Sequence, residues 1–117
     1  MRLNRICVSL VLACAACSQH KVPVTSGDPG RGAAAIFHYG CGSCHTIAGL
    51  TAAHGLVGPP LTGLRDRLYI AGVLENNPEN LEHWIQHPKA VNPKTAMPNL
   101  GVSAKDAGDI AAFLYSR

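Results

Sequence analysis

The sequence predicts a small all-α domain whose helices are separated by unusually long loops. Three segments each begin with a capping residue and carry apolar side chains at helical spacing. The loops between them are rich in glycine and proline, and no stretch alternates convincingly with the period of two typical of a β-strand. Long loops in a compact domain usually wrap something, so we expect these loops to enclose a bound group.

The first predicted helix lies in the stretch DPGRGAAAIFHYG. Asp28 is the expected N-cap, Pro29 occupies the first helical position, and Gly40 follows as a C-terminal stop. The expected apolar face consists of Ala33, Ile36, Phe37 and Gly40.

The second predicted helix repeats these signals in NPENLEHWIQHP. Asn77 is the expected cap, Pro78 opens the first turn, and Pro88 is the expected terminator. Its apolar stripe consists of Leu81, Trp84 and Ile85.

The third predicted helix lies in SAKDAGDIAAFLYSR. Ser103 and Asp106 have the spacing of a capping box, and Gly108 is expected to weaken the helix somewhat. Its apolar side is formed by Ile110, Phe113 and Leu114.

Residues 1–16 predict a signal peptide. Arg2 and Arg5 precede an uncharged apolar run over residues 6–16, and small residues come just before Cys17. A membrane-spanning helix is the alternative, but spanning needs about 20 apolar residues and this run ends earlier. Export places the protein in an oxidising compartment, the bacterial periplasm or another face of the cell envelope.

The stretch LVLACAACSQ resembles a bacterial lipoprotein signal, in which a lipidated cysteine follows the cut. Cys14 and Cys17 compete for that role, and we expect Cys17, because cutting at Cys14 leaves a very short signal and an orphan thiol. Ordinary cleavage after Ala15 or Ala16 is the remaining alternative. A lipid anchor would be the protein's sole attachment to a membrane.

Residues 17–27 are expected to form a linker, and residues 28–117 a single domain. The formal net charge is +3, and loss of Arg2 and Arg5 with the signal would leave eight basic against seven acidic residues. Nucleic-acid binding usually requires a clustered basic face, so this composition argues against it. A core of about 90 residues is marginal by burial alone and usually needs a cofactor, metal or disulfide.

The stretch CGSCH, from Cys41 to His45, carries the chemistry. A redox dithiol would favour a βαβ context, and a zinc site would need further ligands beyond the histidines at 83 and 87. C-x-x-C-H is the attachment signature of haem c, in which Cys41 and Cys44 add to the porphyrin vinyl groups and His45 binds the iron. We therefore predict one covalent haem c.

Met97, in TAMPNLG, is the predicted second axial ligand. It is the single methionine that remains once Met1 is lost with the signal. A lone methionine is more often a core filler, but Met97 lies beside Pro98 and away from the amphipathic helices, and a six-coordinate iron needs a soft ligand. His54 is the rival candidate.

With these motifs in place, the chain resembles the class I cytochromes c over residues 28–117. The likeness is most detailed with the cytochrome c domain of subunit II of bacterial haem–copper oxidases of the caa3 type. The matching stretches are GCGSCHTI, VGPPLTGL, LENNPENLEHWIQHP, AMPNLGVS and IAAFLYS. The sequence differs from that subunit in having neither its transmembrane helices nor its cysteine-rich dinuclear copper motif.

The resemblance implies a fold of three main helices and long loops around the haem, with the terminal helices crossing. It implies that the carbonyl of Pro59 accepts a hydrogen bond from His45. Ala33 and Phe37 would pack on Ile110 and Phe113 at the crossing. The haem pocket would be lined by Phe37, Leu61, Trp84 and Ile85, with Arg65 and Arg67 near the propionates. The simpler interpretation of both arginines is a solvated face shared with Asp66.

The expected function is one-electron transfer without a small-molecule substrate, and not enzymatic catalysis. Expected partners are redox proteins, namely a terminal oxidase, a bc1-type complex or a dehydrogenase. The alternative is a haem enzyme or gas sensor in which Met97 dissociates easily. A metal or thiol module without haem is the second alternative.

Overall fold

The computed structural model describes residues 25–117. The predicted signal peptide and the candidate lipidation sites Cys14 and Cys17 lie outside these residues. The elements in chain order are α1 (Pro29–His38), a 3-10 turn (Cys41–Ser43), a second 3-10 turn (Leu64–Asp66), β1 (Tyr69–Ile70), β2 (Leu74–Glu75), α2 (Pro78–Gln86), α3 (Pro88–Val91) and α4 (Ala104–Tyr115). None of the helices within the described residues has the length and apolar character needed to cross a membrane.

The three predicted helices are present, and each begins at its predicted cap. The side chains of Asp28, Asn77 and Ser103 each accept a hydrogen bond from the backbone N–H three residues later, at 2.8, 2.8 and 3.1 Å. These bonds satisfy N–H groups that have no partner within the helix. Gly40 follows α1 with φ +71°, the left-handed conformation that commonly ends a helix.

Pro88 follows the end of α2 as predicted, and it has a second role that was not predicted. α2 ends at Gln86, and the chain does not leave the helix for a loop, because Pro88 occupies the first position of the short helix α3. A proline's fixed φ suits the first turn of a helix, so the same residue closes α2 and opens α3. The side chain of Pro88 is fully buried, which anchors this junction.

The all-α prediction holds for the helices but misses a small antiparallel hairpin. Tyr69 pairs with Glu75 and Ile70 with Leu74. Ala71, Gly72 and Val73 form the connection, and the first two have φ of 51° and 73°. Two adjacent positive φ values are typical of the tight turns that match the twist of paired strands. The long loops predicted between the helices are present on either side, over residues 44–63 and 92–103.

α1 and α4 cross at a glycine. A Cβ on Gly32 would lie 2.0 Å from the backbone oxygen of Asp109 and 2.9 Å from Cβ of Phe113, so the two backbones touch there. The predicted crossing is therefore present, but its predicted residues are partly wrong. Ile36 is buried whereas Phe37 is 77% exposed, because contact through Gly32 turns the face of α1 that contains Ala35 and Ile36 toward α4.

A buried carboxylate joins the two helices at the same place. Asp109 is 2% exposed and accepts bonds from the backbone N–H of Asp28 at 2.7 Å, from Arg31 Nε at 2.9 Å and from Lys105 Nζ at 2.9 Å. Hydrogen bonds from Arg31, followed by those from Lys105 and Asp28, hold the pKa of Asp109 well below its usual range.

Candidate cofactor-binding site

A cavity of about 630 Å³ lies between the helices and the two long loops. Its walls come from α1, α2, α4, the β1–β2 hairpin and both 3-10 turns. This volume lies within the ~300–1,000 Å³ range of small-molecule and cofactor sites. Apolar side chains from the core form most of the wall, among them Ile36, Leu64, Ile70, Leu81, Val102, Ile110 and Leu114.

The CGSCH stretch lies on this wall in a tight turn. Gly40 takes a left-handed conformation and Cys41–Ser43 forms a single 3-10 turn. The backbone N–H of His45 donates to the carbonyl of Cys41 at 3.0 Å, which closes the turn between these two residues. Cys41, Cys44 and His45 all line the cavity, and the two thiols are not joined in a disulfide.

The environment of Cys41 does not favour a reactive dithiol. Burial raises the pKa of the Cys41 thiol above its ordinary value, with a smaller contribution from Cys44. Redox-active C-x-x-C thiols have the opposite property, since a lowered pKa supplies the reactive thiolate. The strands of a βαβ unit are also absent from the described residues, where the one hairpin has two residues per strand.

His45 is oriented by the loop that follows it. Its Nδ1 lies 2.7 Å from the backbone oxygen of Pro59, the contact that the resemblance implies. A carbonyl oxygen accepts and cannot donate, so Nδ1 carries the proton and Nε2 has the free lone pair of the neutral ring. A backbone acceptor on the far nitrogen is the usual support for a metal-binding histidine.

Gly58, which the sequence analysis did not single out, packs directly against this imidazole. A Cβ at position 58 would lie 2.3 Å from Cε1 and 2.7 Å from Nδ1 of His45. Any larger side chain would therefore push the ring away from its hydrogen bond to Pro59. The sequence signal was a glycine before two prolines, which equally indicates an ordinary turn.

Met97 reaches the same cavity from the loop ahead of α4. It is half-buried, packs against the apolar core and lines the wall with His45. Its backbone N–H donates to Thr95 Oγ1 at 3.2 Å. Lys89 holds the same loop: Nζ donates to the carbonyl of Thr95, and its backbone N–H donates to Asn99 Oδ1 at 3.3 Å. His54, the rival candidate, is exposed and does not line the cavity.

The other predicted site residues divide into two groups. Pro59, Leu61, Arg67, Trp84 and Ile85 line the cavity. Phe37 and Arg65 do not. Phe37 borders a separate cavity of about 360 Å³. It lies there, and not in the core, because the contact through Gly32 orients the face of α1 with Ala35 and Ile36 inward. Arg65 lies on a 3-10 turn with Nε 3.6 Å from Asp66 Oδ1, the pairing that the simpler interpretation expected.

Two further residues support the wall without having been predicted. Asn76 donates through Nδ2 to the carbonyls of Leu64 and Arg67, each at 2.7 Å, and its Oδ1 accepts the hydroxyl of Tyr115 at 2.7 Å. Asn76 thus links the first residue of the second 3-10 turn, and the residue directly after that turn, to α4. Burial, with a smaller contribution from Glu82, raises the pKa of Tyr115 to about 12, so its hydroxyl remains a donor.

Comparison with known proteins identifies the family of the chain. The family model described as Cytochrome c matches residues 31–117. Similar curated proteins include cytochrome c oxidase subunit 2 of Alkalihalophilus pseudofirmus, 39% identical over 77 residues, and that of Bacillus sp. (strain PS3), 37% identical over 79 residues. These alignments cover 65% and 66% of this chain and 22% of each relative, so the chain spans about a fifth of their length.

The family implies covalently bound haem c with its iron, and the cavity fits that group. The wall of this cavity contains two thiols, an imidazole and a thioether and is otherwise largely apolar. A covalently attached porphyrin requires such a wall. Electron transfer is the chemistry associated with this family. The resemblance drawn from the sequence is confirmed by the match over residues 31–117: the chain belongs to the cytochrome c family.

Proposed function

We propose that the chain is a monohaem class I cytochrome c that carries single electrons, with His45 and Met97 as axial ligands of the iron. The observation that carries this proposal is the shared position of Cys41, Cys44, His45 and Met97 on the wall of one cavity. The first three come from a single turn and the fourth from a distant loop. Folding is therefore what brings a complete attachment and ligand set together.

Each of these residues has a separate task. Cys41 and Cys44 would hold the porphyrin through thioether bonds and would fix its position relative to the turn. His45 offers Nε2 to the iron, because Nδ1–H is bound to the carbonyl of Pro59. Gly58 leaves room for the ring in that orientation. When bound, the haem supplies an iron that gains and loses one electron reversibly.

Met97 and the apolar wall set the preference between oxidation states. A thioether is a weak donor and favours reduced iron relative to a second imidazole. Leu61, Trp84 and Ile85 exclude water, which disfavours the additional positive charge of the oxidised site. Both contributions raise the reduction potential. Arg67, whose guanidinium already donates to the carbonyls of Pro60 and Thr62, is the arginine on the wall that could meet a propionate.

We infer that the working protein is exported and tethered. Cleavage before Cys17, or before Cys14, would leave a lipidated cysteine, a linker up to residue 27 and the domain from residue 28. Relatives named as subunits of cytochrome c oxidase support a respiratory role with redox proteins as partners. Delivery of electrons to a terminal oxidase is the favoured role, with a bc1-type complex or a dehydrogenase as donor.

Substitution of Met97 tests the proposal. We expect Met97→Ala to retain covalent haem, seen by haem staining of the denatured protein on a gel, but to lower the reduction potential. The reduced variant should also bind CO rapidly, since its sixth position is open. His54→Ala is the matched control and should keep the potential and the slow CO reaction of the wild type.

Two results would contradict the assignment. An unchanged potential in Met97→Ala would show that another residue is the ligand. Rapid CO binding by the reduced wild-type protein would favour the gas-sensor or enzyme alternative over a carrier.

A further inference from the structure

Two histidines lie four residues apart at the C-terminal end of α2: His83 in its last turn, and His87 directly after its last residue. His83 and His87 are both exposed, and neither lines the cavity. Their ring centroids lie 5.5 Å apart with the planes tilted by 55°. The backbone N–H of His87 donates to the carbonyl of His83 at 2.9 Å, so a hydrogen-bonded turn fixes the spacing between the two side chains.

This spacing is suited to a shared ion. Imidazole nitrogens bind zinc and similar metals at ~2.0–2.1 Å, so two rings with centres about 5 Å apart can both direct a nitrogen at one ion between them. His87 caps α2 with non-helical φ and ψ of −133° and 50°, so the pair relies on the 5.5 Å ring separation and not on a shared helical face. Pro88, which is fully buried, anchors the chain directly after His87 and limits the entropy lost on binding.

We propose that His83 and His87 chelate a divalent transition-metal ion, with water completing its coordination. Among residues 25–117 there is no group of three or more His, Cys, Asp or Glu side chains able to hold a metal, so the site is a two-ligand, exchangeable one. Imidazole ligands bind Cu²⁺ more tightly than Ni²⁺ or Zn²⁺. Glu79 lies a further turn back on the same helix and is exposed, and its negative charge favours a cation.

The metal site is separate from the cofactor cavity. The inner face of α2 buries Leu81, Trp84 and Ile85, which line the cavity. A helix with its side chains is about 10 Å across, so an ion held by the two exposed histidines would not touch the cavity wall. The proposal therefore does not depend on the identity of the sixth haem ligand.

Calorimetric titration of Cu²⁺ into the oxidised, haem-loaded full chain tests the site. His83→Gln and His87→Gln should each weaken Cu²⁺ binding by about tenfold or more, because loss of either imidazole removes the chelate. The double variant should bind little more weakly than either single one. Ni²⁺ and Zn²⁺ should bind the wild-type protein more weakly than Cu²⁺.

His38→Gln and His54→Gln are the matched controls, since both residues are exposed histidines without a partner at i+4. They should keep wild-type Cu²⁺ affinity, and all five variants, the double one included, should keep the wild-type helical circular dichroism. Wild-type affinity in His83→Gln or in His87→Gln would overturn the proposal. Equal losses in the control variants would do the same, because binding would then be spread over unrelated histidines.

Discussion

Where α1 crosses α4, buried side chains and a carboxylate that accepts several hydrogen bonds fix the backbone. The Met97 loop, residues 95–99, is instead held by a few hydrogen bonds near the surface. At the crossing Phe113 is 2% exposed and Asp109 accepts bonds from three residues. The loop has no helix or strand. Stability therefore depends chiefly on the helix pair, while the proposed ligand lies on a segment that can move at small cost.

Truncation at the crossing should have the largest effect on stability. Phe113→Ala removes a buried ring that packs beside Gly32, and we expect the free energy of unfolding to fall by about 3–5 kcal/mol. Phe37→Ala, on the exposed side of α1, should change it by less than about 0.5 kcal/mol. Guanidinium denaturation of the haem-loaded proteins measures both. Similar losses in the two variants would mean that α1 packs through Phe37 after all.

The carboxylate at the crossing should give the next largest effect, and one that depends on pH. Hydrogen bonds from Arg31 and Lys105 lower the pKa of Asp109 in the folded protein, so the ionised form stabilises the fold above the ordinary pKa of about 3.9. That contribution is lost as the pH falls below this value. We expect Asp109→Asn to be less stable than wild type at neutral pH, by less than Phe113→Ala, because Arg31 and Lys105 remain largely hydrated.

A denaturation series between neutral pH and pH 3 should show the contribution of Asp109 in the slope of the free energy of unfolding against pH. Wild-type stability should decline steeply at the acid end, and Asp109→Asn should decline less. Asp66→Asn is the control, since Asp66 is an exposed carboxylate 3.6 Å from Arg65. An acid slope in Asp109→Asn as steep as that of the wild type would place the titrating group elsewhere.

The crossing also shows why sequence reasoning succeeds for some features and fails for others. The caps Asp28, Asn77 and Ser103 are local signals, since each bonds a backbone N–H three residues away. The face that α1 buries is not local. It is set by Gly32, which has no side chain to mark it as a contact, and hydrophobic periodicity therefore selected Phe37.

Burial of a charge and pairing of short strands are equally hidden in the sequence. Asp109 does not belong to the apolar side predicted for the third helix, which consists of Ile110, Phe113 and Leu114. Its main partner, Arg31, is 78 residues away in the sequence. Strands of two residues are too short to display alternation, so the period-two pattern could not reveal this hairpin. The attachment turn was predictable because CGSCH is a compact motif. The contact of Gly58 with His45 depends on how the following loop folds back.

The smallest of these effects on stability is expected from removing the hydrogen bond between Lys89 and the Met97 loop. Lys89 Nζ donates to the carbonyl of Thr95, on the chain just before Met97, so Lys89→Met removes this bond while keeping an apolar stem of similar length. The ammonium is near the surface, and we expect the free energy of unfolding to fall by only about 1 kcal/mol. Lys94→Met, at an exposed lysine directly before Thr95, is the matched control.

Function should respond more strongly than stability in this variant. If the hydrogen bond from Lys89 to Thr95 keeps Met97 against the cavity, loss of this bond makes dissociation of the thioether easier. CO should then bind reduced Lys89→Met faster than reduced wild type. Stopped-flow mixing with CO measures this rate, and Lys94→Met should match the wild type. A wild-type CO rate in Lys89→Met would show that the loop keeps its shape through the backbone bond to Asn99 and the contact between Met97 and Thr95 alone. A faster rate at nearly unchanged stability would instead show that ligand exchange and global unfolding are governed by different parts of the molecule.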